Sequence, residues 1–174
     1  MNDLAERAGV TKPVIYYYFG SKAGVVDACV EVAMQGLADT IMAATGPVME
    51  PRARLHAGAV AWFEFISRVD DPWASVIDPR RHRGEPDYER NASRTRQAQA
   101  ALVEWILHDT VAASGARIDP LELNLHAHTL IGLFETYALW WSDHPDIDAR
   151  TLADWLIENV WSGLGAQLRV AASA

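Results

Sequence analysis

The sequence lacks the features that secreted, membrane-spanning and catalytic proteins rely on. It has one cysteine, Cys29, so no intramolecular disulfide can form, and a reducing cytoplasm is the expected compartment. Beside Val25 and Val26, that thiol reads as inert packing. No apolar run reaches the ~18 residues of a membrane span, and stretches such as Leu130–Phe134 and Tyr137–Trp141 are soon interrupted. The opening Met1-Asn2-Asp3-Leu4 has no cationic region followed by an apolar one, so no secretory signal is expected. Nucleophile-elbow, phosphate-loop and dinucleotide glycine patterns are missing, and Ser67, Ser75, Ser93, Ser114, Ser142 and Ser162 have no local activating pattern. Catalysis therefore has no residue to carry it, and no cofactor is expected. Positive charge is also scarce: the net charge is −8. Its distribution says more than its sum. Residues 1–24 set Arg7, Lys12 and Lys22 against Asp3 and Glu6, a balance of +1, and the rest of the chain carries −9. A small, mildly basic end before an acidic body is compatible with a modular DNA binder.

What is present is helical periodicity. Apolar spacings of three and four recur throughout, no segment alternates for long, and the expected fold is all-α. A short helix over 2–8 ends at Gly9. Thr11 suits the N-cap of a second, with Pro13 tolerated in its first turn, and Gly20 stops it. Ser21 opens a long helix to about Ala44, and Gly46-Pro47 and Pro51 break it. A helix about Arg52–Arg68 carries Leu55, Ala59, Trp62, Phe63 and Ile66 on one stripe. A short helical turn to about Ile77 and an irregular stretch Asp78–Asp87 follow, and then helices about Asp87–Ala113, Leu121–Asp143 and Ala149–Val170.

The last two helices are too apolar for one core. Leu123, Ala127, Leu130, Ile131, Phe134, Ala138 and Trp141 mark one face of the first; Leu125, Gly132, Leu133, Leu139 and Trp140 mark others. In the second, Leu152, Leu156, Val160 and Leu164 share a face, and Trp155 and Trp161 project elsewhere. Apolarity on two faces implies burial on two sides, met either by a two-fold partner or by a central place in a monomer's core. The expectation is a homodimer through residues 121–143 and 149–170, with glutamate at Leu156 and Val160 as the way to split it.

The most informative segment runs Leu4-Ala5-Glu6-Arg7-Ala8-Gly9-Val10-Thr11-Lys12-Pro13-Val14-Ile15-Tyr16-Tyr17-Tyr18-Phe19-Gly20-Ser21-Lys22. Two short helices joined by a tight glycine-containing turn form a helix-turn-helix unit. Leu4, Ala8, Val10, Ile15 and Phe19 are expected to face inward. Thr11, Lys12, Pro13, Val14, Tyr16, Tyr17, Tyr18 and Lys22 form the outward set, because consecutive helical residues lie about 100° apart and three adjacent tyrosines cannot all be core. Phenolic hydroxyls and lysine ammonium groups are natural phosphate donors.

This run resembles the signature of the tetracycline-repressor (TetR) family. The elements are a leucine-alanine pair, alanine-glycine-valine, a serine or threonine, then tyrosine-x-x-phenylalanine and serine-lysine. The resemblance implies a ligand-responsive transcriptional repressor that binds double-stranded operator DNA as a dimer. Thr11 would cap the reading helix and touch phosphate, Lys12, Pro13, Val14 and Tyr17 would lie toward the major groove, and Tyr16, Tyr18 and Lys22 would hold the backbone. Pro13 and Val14 depart from the small or hydroxylated residues usual there, which favours apolar contact such as with a thymine methyl. The family also carries a helix before this segment, so the expectation is a truncated product or a start assigned too late, with residues 1–28 a partial DNA-binding domain and residues 29–174 a ligand-binding and dimerisation domain. The alternative is a stand-alone small-molecule-binding module without DNA binding.

The middle helices are rich in aromatic side chains, and cavities lined by aromatics with a few polar groups are the usual form of small-molecule sites. The expectation is an enclosed apolar pocket between helices 52–68, 87–113 and 121–143, with the 78–87 loop near its entrance. Its candidate lining is Trp62, Phe63, Phe65, Ile66, Trp105, Phe134 and Tyr137, with Glu104, His108, His126 and Glu135 as polar groups. An uncharged or weakly charged aromatic or lipid-like effector suits it; the other reading is a solid core. Glu64, Glu104 and Glu135 each sit inside apolar runs and either emerge to solvent or orient a ligand. Arg80, Arg81, His82 and Arg83 read as a solvated cluster. No metal site is expected: His126 and His128, two apart, point to nearly opposite sides of a helix.

Overall fold

The computed structural model describes residues 1–48, 50–68, 86–115 and 117–172, with backbone alone for 86–94, 114 and 162–172. The described elements are α-helices: α1 (Asn2–Arg7), α2 (Lys12–Phe19), α3 (Lys22–Thr45), α4 (Pro51–Ser67), α5 (Pro86–Ser114), α6 (Pro120–Trp141) and α7 (Ala149–Ala172). The helical turn expected up to Ile77, and the Arg80–Arg83 cluster, lie outside the described residues.

Helix starts follow local chemistry. The Ser21 hydroxyl accepts from Gly24 N at 3.0 Å. Glu50 accepts from the Arg52 and Ala53 amides, and Asp119 from the Leu121 amide, each just before a proline whose missing N–H needs no partner. Gly9, Gly20 and Gly115 end their helices with positive φ.

In the body, α4 is the central helix. It packs on α3 and α7, while α5 packs closely on α6. Trp62, Phe63, Phe134 and Trp141 interdigitate at the centre, with ring centroids 5.1–5.9 Å apart. The whole Leu123-to-Trp141 face of α6 is buried, as its periodicity predicts. On α7, Leu152 and Leu156 are fully buried within the single chain and Val160 half-buried, whereas Trp155 is exposed. This corrects the test of the dimer: glutamate at Leu156 would unfold the subunit rather than separate one subunit from another. The open apolar surface lies instead at Leu121, Leu125, Trp140 and Trp155.

Candidate functional site

The head is α1, the turn after it, and α2, seated on the start of α3. Gly9 in the left-handed region lets the chain turn, and Thr11 occupies the N-cap of α2 with its carbonyl accepting from Val14 and Ile15. The Thr11 hydroxyl makes no capping bond, so the expected side-chain cap is absent and the group stays on the exposed surface. Lys12, Pro13, Val14, Tyr16, Tyr17, Tyr18 and Lys22 are all exposed as well. Tyr17, at 84% exposure, meets Tyr18 edge-on with centroids 5.3 Å apart, and Lys12 Nζ lies 5.9 Å from the Tyr16 ring centroid. Cations and phenols are thus exposed next to one another on α2, residue types that can donate to phosphate.

The expected inward face of the head is only partly formed. Ile15 is buried, and Ala5, which the sequence reading passed over, joins it; Leu4, Ala8, Val10 and Phe19 are exposed. α1 packs on α2 and α2 on the start of α3, and Leu4, Val10 and Phe19 are left exposed.

The body holds an apolar cavity of about 40 Å³ between α3, α4, α5, α6 and α7. Ile41 and Thr45 reach it from α3; Arg54, Leu55, Gly58, Ala59 and Trp62 from α4; Val103 and Ile106 from α5; Leu130, Ile131 and Phe134 from α6; and Ile157 from α7. Ligand pockets typically measure about 300–1,000 Å³, so this is a narrow slit.

Of the expected lining residues, Trp62 and Phe134 reach this slit. Phe63 is buried in the ring cluster beside it, Ile66 is buried, and Phe65 faces α3 at Gly36. Trp105, 49% exposed, and His108 point to solvent, because their positions on α5 turn away from Ile106 and Leu107. Tyr137 lies in an outer cleft between α6 and α7, its hydroxyl accepting from Asn159 Nδ2 at 2.6 Å. Glu135 takes a bidentate pair of bonds from Arg96, and Glu104 accepts from Asn124 Nδ2 at 2.6 Å, so both carboxylates tie α5 to α6. Glu64 is exposed. His126 Nε2 lies 3.7 Å from Glu122 Oε1, an i,i+4 pair that the histidine spacings alone did not suggest.

The sequence reading missed Arg54. Its side chain is only 6% exposed, and its Nη2 meets Asp109 Oδ2 at 2.7 Å. The nearest signal was Gly58 one turn on, a small residue where α3 and α4 come close. Among the described residues no group of three or more His, Cys, Asp and Glu is placed to hold a metal, and no helix is long and apolar enough to cross a membrane.

A helix-turn-helix head with exposed phenols and lysines, joined by one long helix to an α-helical body, is the build of a DNA-binding transcriptional regulator. Residues 1–29 match the family described as bacterial regulatory proteins, tetR family, and residues 51–163 match the tetracyclin repressor-like C-terminal domain. The chain belongs to the TetR family. It is 26% identical over 168 residues to the HTH-type transcriptional activator FasR of Mycolicibacterium smegmatis, covering 94% of this chain and 73% of that protein. Its fold resembles a TetR-family transcriptional regulator from a Rhodococcus species, with TM-score 0.68, 20% identity, and 91% and 84% of the two chains covered. It also resembles the fatty acid degradation regulator FadR from Bacillus halodurans, with TM-score 0.67, 18% identity, and 92% and 82% covered.

Proposed function

We propose that this chain is a dimeric repressor that leaves its two-fold operator when a small, mainly apolar molecule enters the body. The observation that carries this reading is the continuity of α3. It starts beneath the DNA-reading helix, where Ser21 caps it, and near its far end Ile41 and Thr45 line the interior slit. At ~1.5 Å per residue it is a rod of roughly 36 Å, so a displacement at the slit is carried to the head. Residues 1–28 and 29–174 are then a DNA-reading unit and a ligand-binding, dimerising unit that share this rod. Thr11, Tyr16, Tyr18 and Lys22 hold phosphates, and Lys12, Pro13, Val14 and Tyr17 face base edges. The lipid-related name of one structural neighbour supports an apolar effector, and a cytoplasmic site of action fits a regulator of transcription.

The test is selection of duplexes from a random pool, followed by binding over a salt series. Two-fold sites with half-sites about one helical turn apart, or a multiple, are expected. Tyr17→Ala should relax base preference, whereas Lys22→Ala should weaken all sites alike and lower the salt slope by about 1. A reporter driven from the selected site separates repression from the activation named for the FasR relative: output rises in Tyr17→Ala if the protein represses. Binding without sequence preference would leave the stand-alone ligand-binding module as the better reading.

A further inference from the structure

Two residues on the walls of the interior slit carry buried hydrogen-bond donors that the protein itself leaves unused. Arg54 gives Nη2 to Asp109, but its Nε has no hydrogen-bond partner among the described residues, and neither has the indole Nε1 of Trp62, a residue 2% exposed. Both residues line the slit. The other polar side chain there, Thr45, donates its hydroxyl to the Ile41 carbonyl at 2.9 Å. More than about 90% of buried polar groups find a partner, and an unmet donor keeps its full desolvation cost. Two such donors on residues that wall one apolar cavity are therefore a placement for an acceptor that arrives from outside.

We infer that the slit binds a neutral, largely apolar molecule whose carbonyl-type acceptor is taken by the Trp62 indole N–H or by Arg54 Nε. The inference rests on the ligand-responsive reading and narrows it to a chemical class. Charge decides against a carboxylate, because Asp109 already neutralises the guanidinium and a second anion would lose its hydration among leucine, isoleucine and phenylalanine side chains. Arg54 and Trp62 are eight residues apart on α4, a rise of about 12 Å, which suits an elongated ligand. At about 40 Å³ the slit must open to admit it. A Cβ at Gly58 would stand 3.3 Å from Thr45 Cγ2, so α3 and α4 cross closely beside the slit, and opening it moves the two helices apart. An entering ligand displaces Ile41 and Thr45, on the rod that carries the head.

Three probes of matched shape test the class by calorimetry on the whole chain: 2-acetylnaphthalene, 2-ethylnaphthalene and 2-naphthoate. The ketone should bind about tenfold tighter than the hydrocarbon, the size expected for satisfying a buried donor, and the carboxylate should bind weakest. Trp62→Phe keeps the ring packing and removes the N–H; Arg54→Met, made together with Asp109→Asn, removes the other donor. In at least one of these the ketone's advantage should fall to within about twofold. Should both variants fail to fold, the ranking on the unaltered chain and the Trp62 indole N–H resonance, which must shift with the ketone and not with the hydrocarbon, decide the matter. Equal affinity for ketone and hydrocarbon, a preference for naphthoate, an advantage that survives both variants, or no binding by any probe overturns the inference. Duplex binding measured in parallel keeps the two readings apart: sequence-specific DNA binding without a ketone preference defeats the ligand class alone, and a Trp62-dependent ketone preference without DNA binding defeats the regulator alone.

Discussion

Both sides of α6 carry large apolar residues, and these fare differently. Leu123, Ala127, Leu130, Ile131, Phe134, Ala138 and Trp141 are buried, whereas Leu121, Leu125 and Trp140 face solvent, with Leu125 at 63% exposure. On α7 the same division separates Leu152 and Leu156 from Trp155. The outer side also carries exposed His128, Thr129 and Thr136, but its leucines and tryptophan match the inner ones, and for these what lies alongside decides. The inner side meets the rings of α4 and the apolar face of α5; on the outer side Trp140 stacks on His144 and meets Trp155 of α7 edge-on, while Leu121 and Leu125 stay exposed. Hydropathy alone does not say which apolar strip is covered, because that depends on the neighbour that lies alongside. The outer side is thus the place where a second subunit is expected, and its loss should cost association while leaving the fold of each subunit intact.

The largest effect should come from the inner side. Phe63 is fully buried against Trp62, Phe134 and Trp141, so Phe63→Ala should cost about 3–5 kcal/mol of unfolding free energy in denaturant titrations. Leu125→Glu with Trp155→Glu should leave helicity unchanged and halve the mass seen by light scattering. If the glutamate pair unfolds the chain as Phe63→Ala does, or the mass stays that of a dimer, the two sides do not differ in the way described. A smaller effect separates head from body. A Cβ at Gly24 would collide with the Phe19 carbonyl oxygen at the close crossing of α2 and α3. Gly24→Ala should therefore lower operator affinity about tenfold, or ~1.4 kcal/mol, while body stability moves little.

Much of this was legible in the residues. The i,i+3 and i,i+4 spacings located the buried face of α6 residue by residue, and Pro51 marked the break before α4. The exposure of Tyr17 and Tyr18 followed from three tyrosines in a row on a helix. Periodicity was less informative where a neighbour decides. It assigned Leu4, Val10 and Phe19 inward, yet an amphipathic face is buried only if another element covers it, and here they are exposed. Trp105 illustrates the same point from the other side, since being aromatic in an apolar run says nothing of which way a residue turns. Arg54 escaped because an arginine in a first turn reads as surface; its partner Asp109 lies on α5, and no local spacing links the two. Glu104 and Glu135 were singled out for sitting in apolar runs, and their partners Asn124 and Arg96 were likewise set by the approach of α5 to α6.

The smallest expected effect lies at the corner that joins the two compared helices. Trp141 on the inner side of α6 donates its Nε1–H to the Ile147 carbonyl at 2.6 Å, and the next residue, Asp148, opens α7. The Asp148 carboxylate accepts the Thr151 amide at 2.8 Å and the Thr151 hydroxyl at 3.2 Å, while its carbonyl accepts from Leu152 N at 3.1 Å. The Thr151 amide bond is the main reason that the carboxyl is held below its ordinary value; desolvation opposes it, and the Thr151 hydroxyl, the Arg150 amide and the Arg150 charge reinforce it. A carboxyl depressed in the folded state contributes stability that is complete above its unfolded pKa, about 3.9, and is lost as pH falls through the lower folded value. Stability from this cap should thus be flat near neutrality and decline only below about pH 4. Asp148→Asn keeps an acceptor for the Thr151 amide and removes the charge, so its melting temperature should sit slightly below that of the unaltered chain near neutrality, with the gap closing in acid. Because the group is exposed, the gap should be small, and an NMR titration of the carboxyl carbon is the sharper readout. A midpoint at or above the ordinary aspartate value, or a gap that widens as acid is added, would show that the cap does not hold the start of α7.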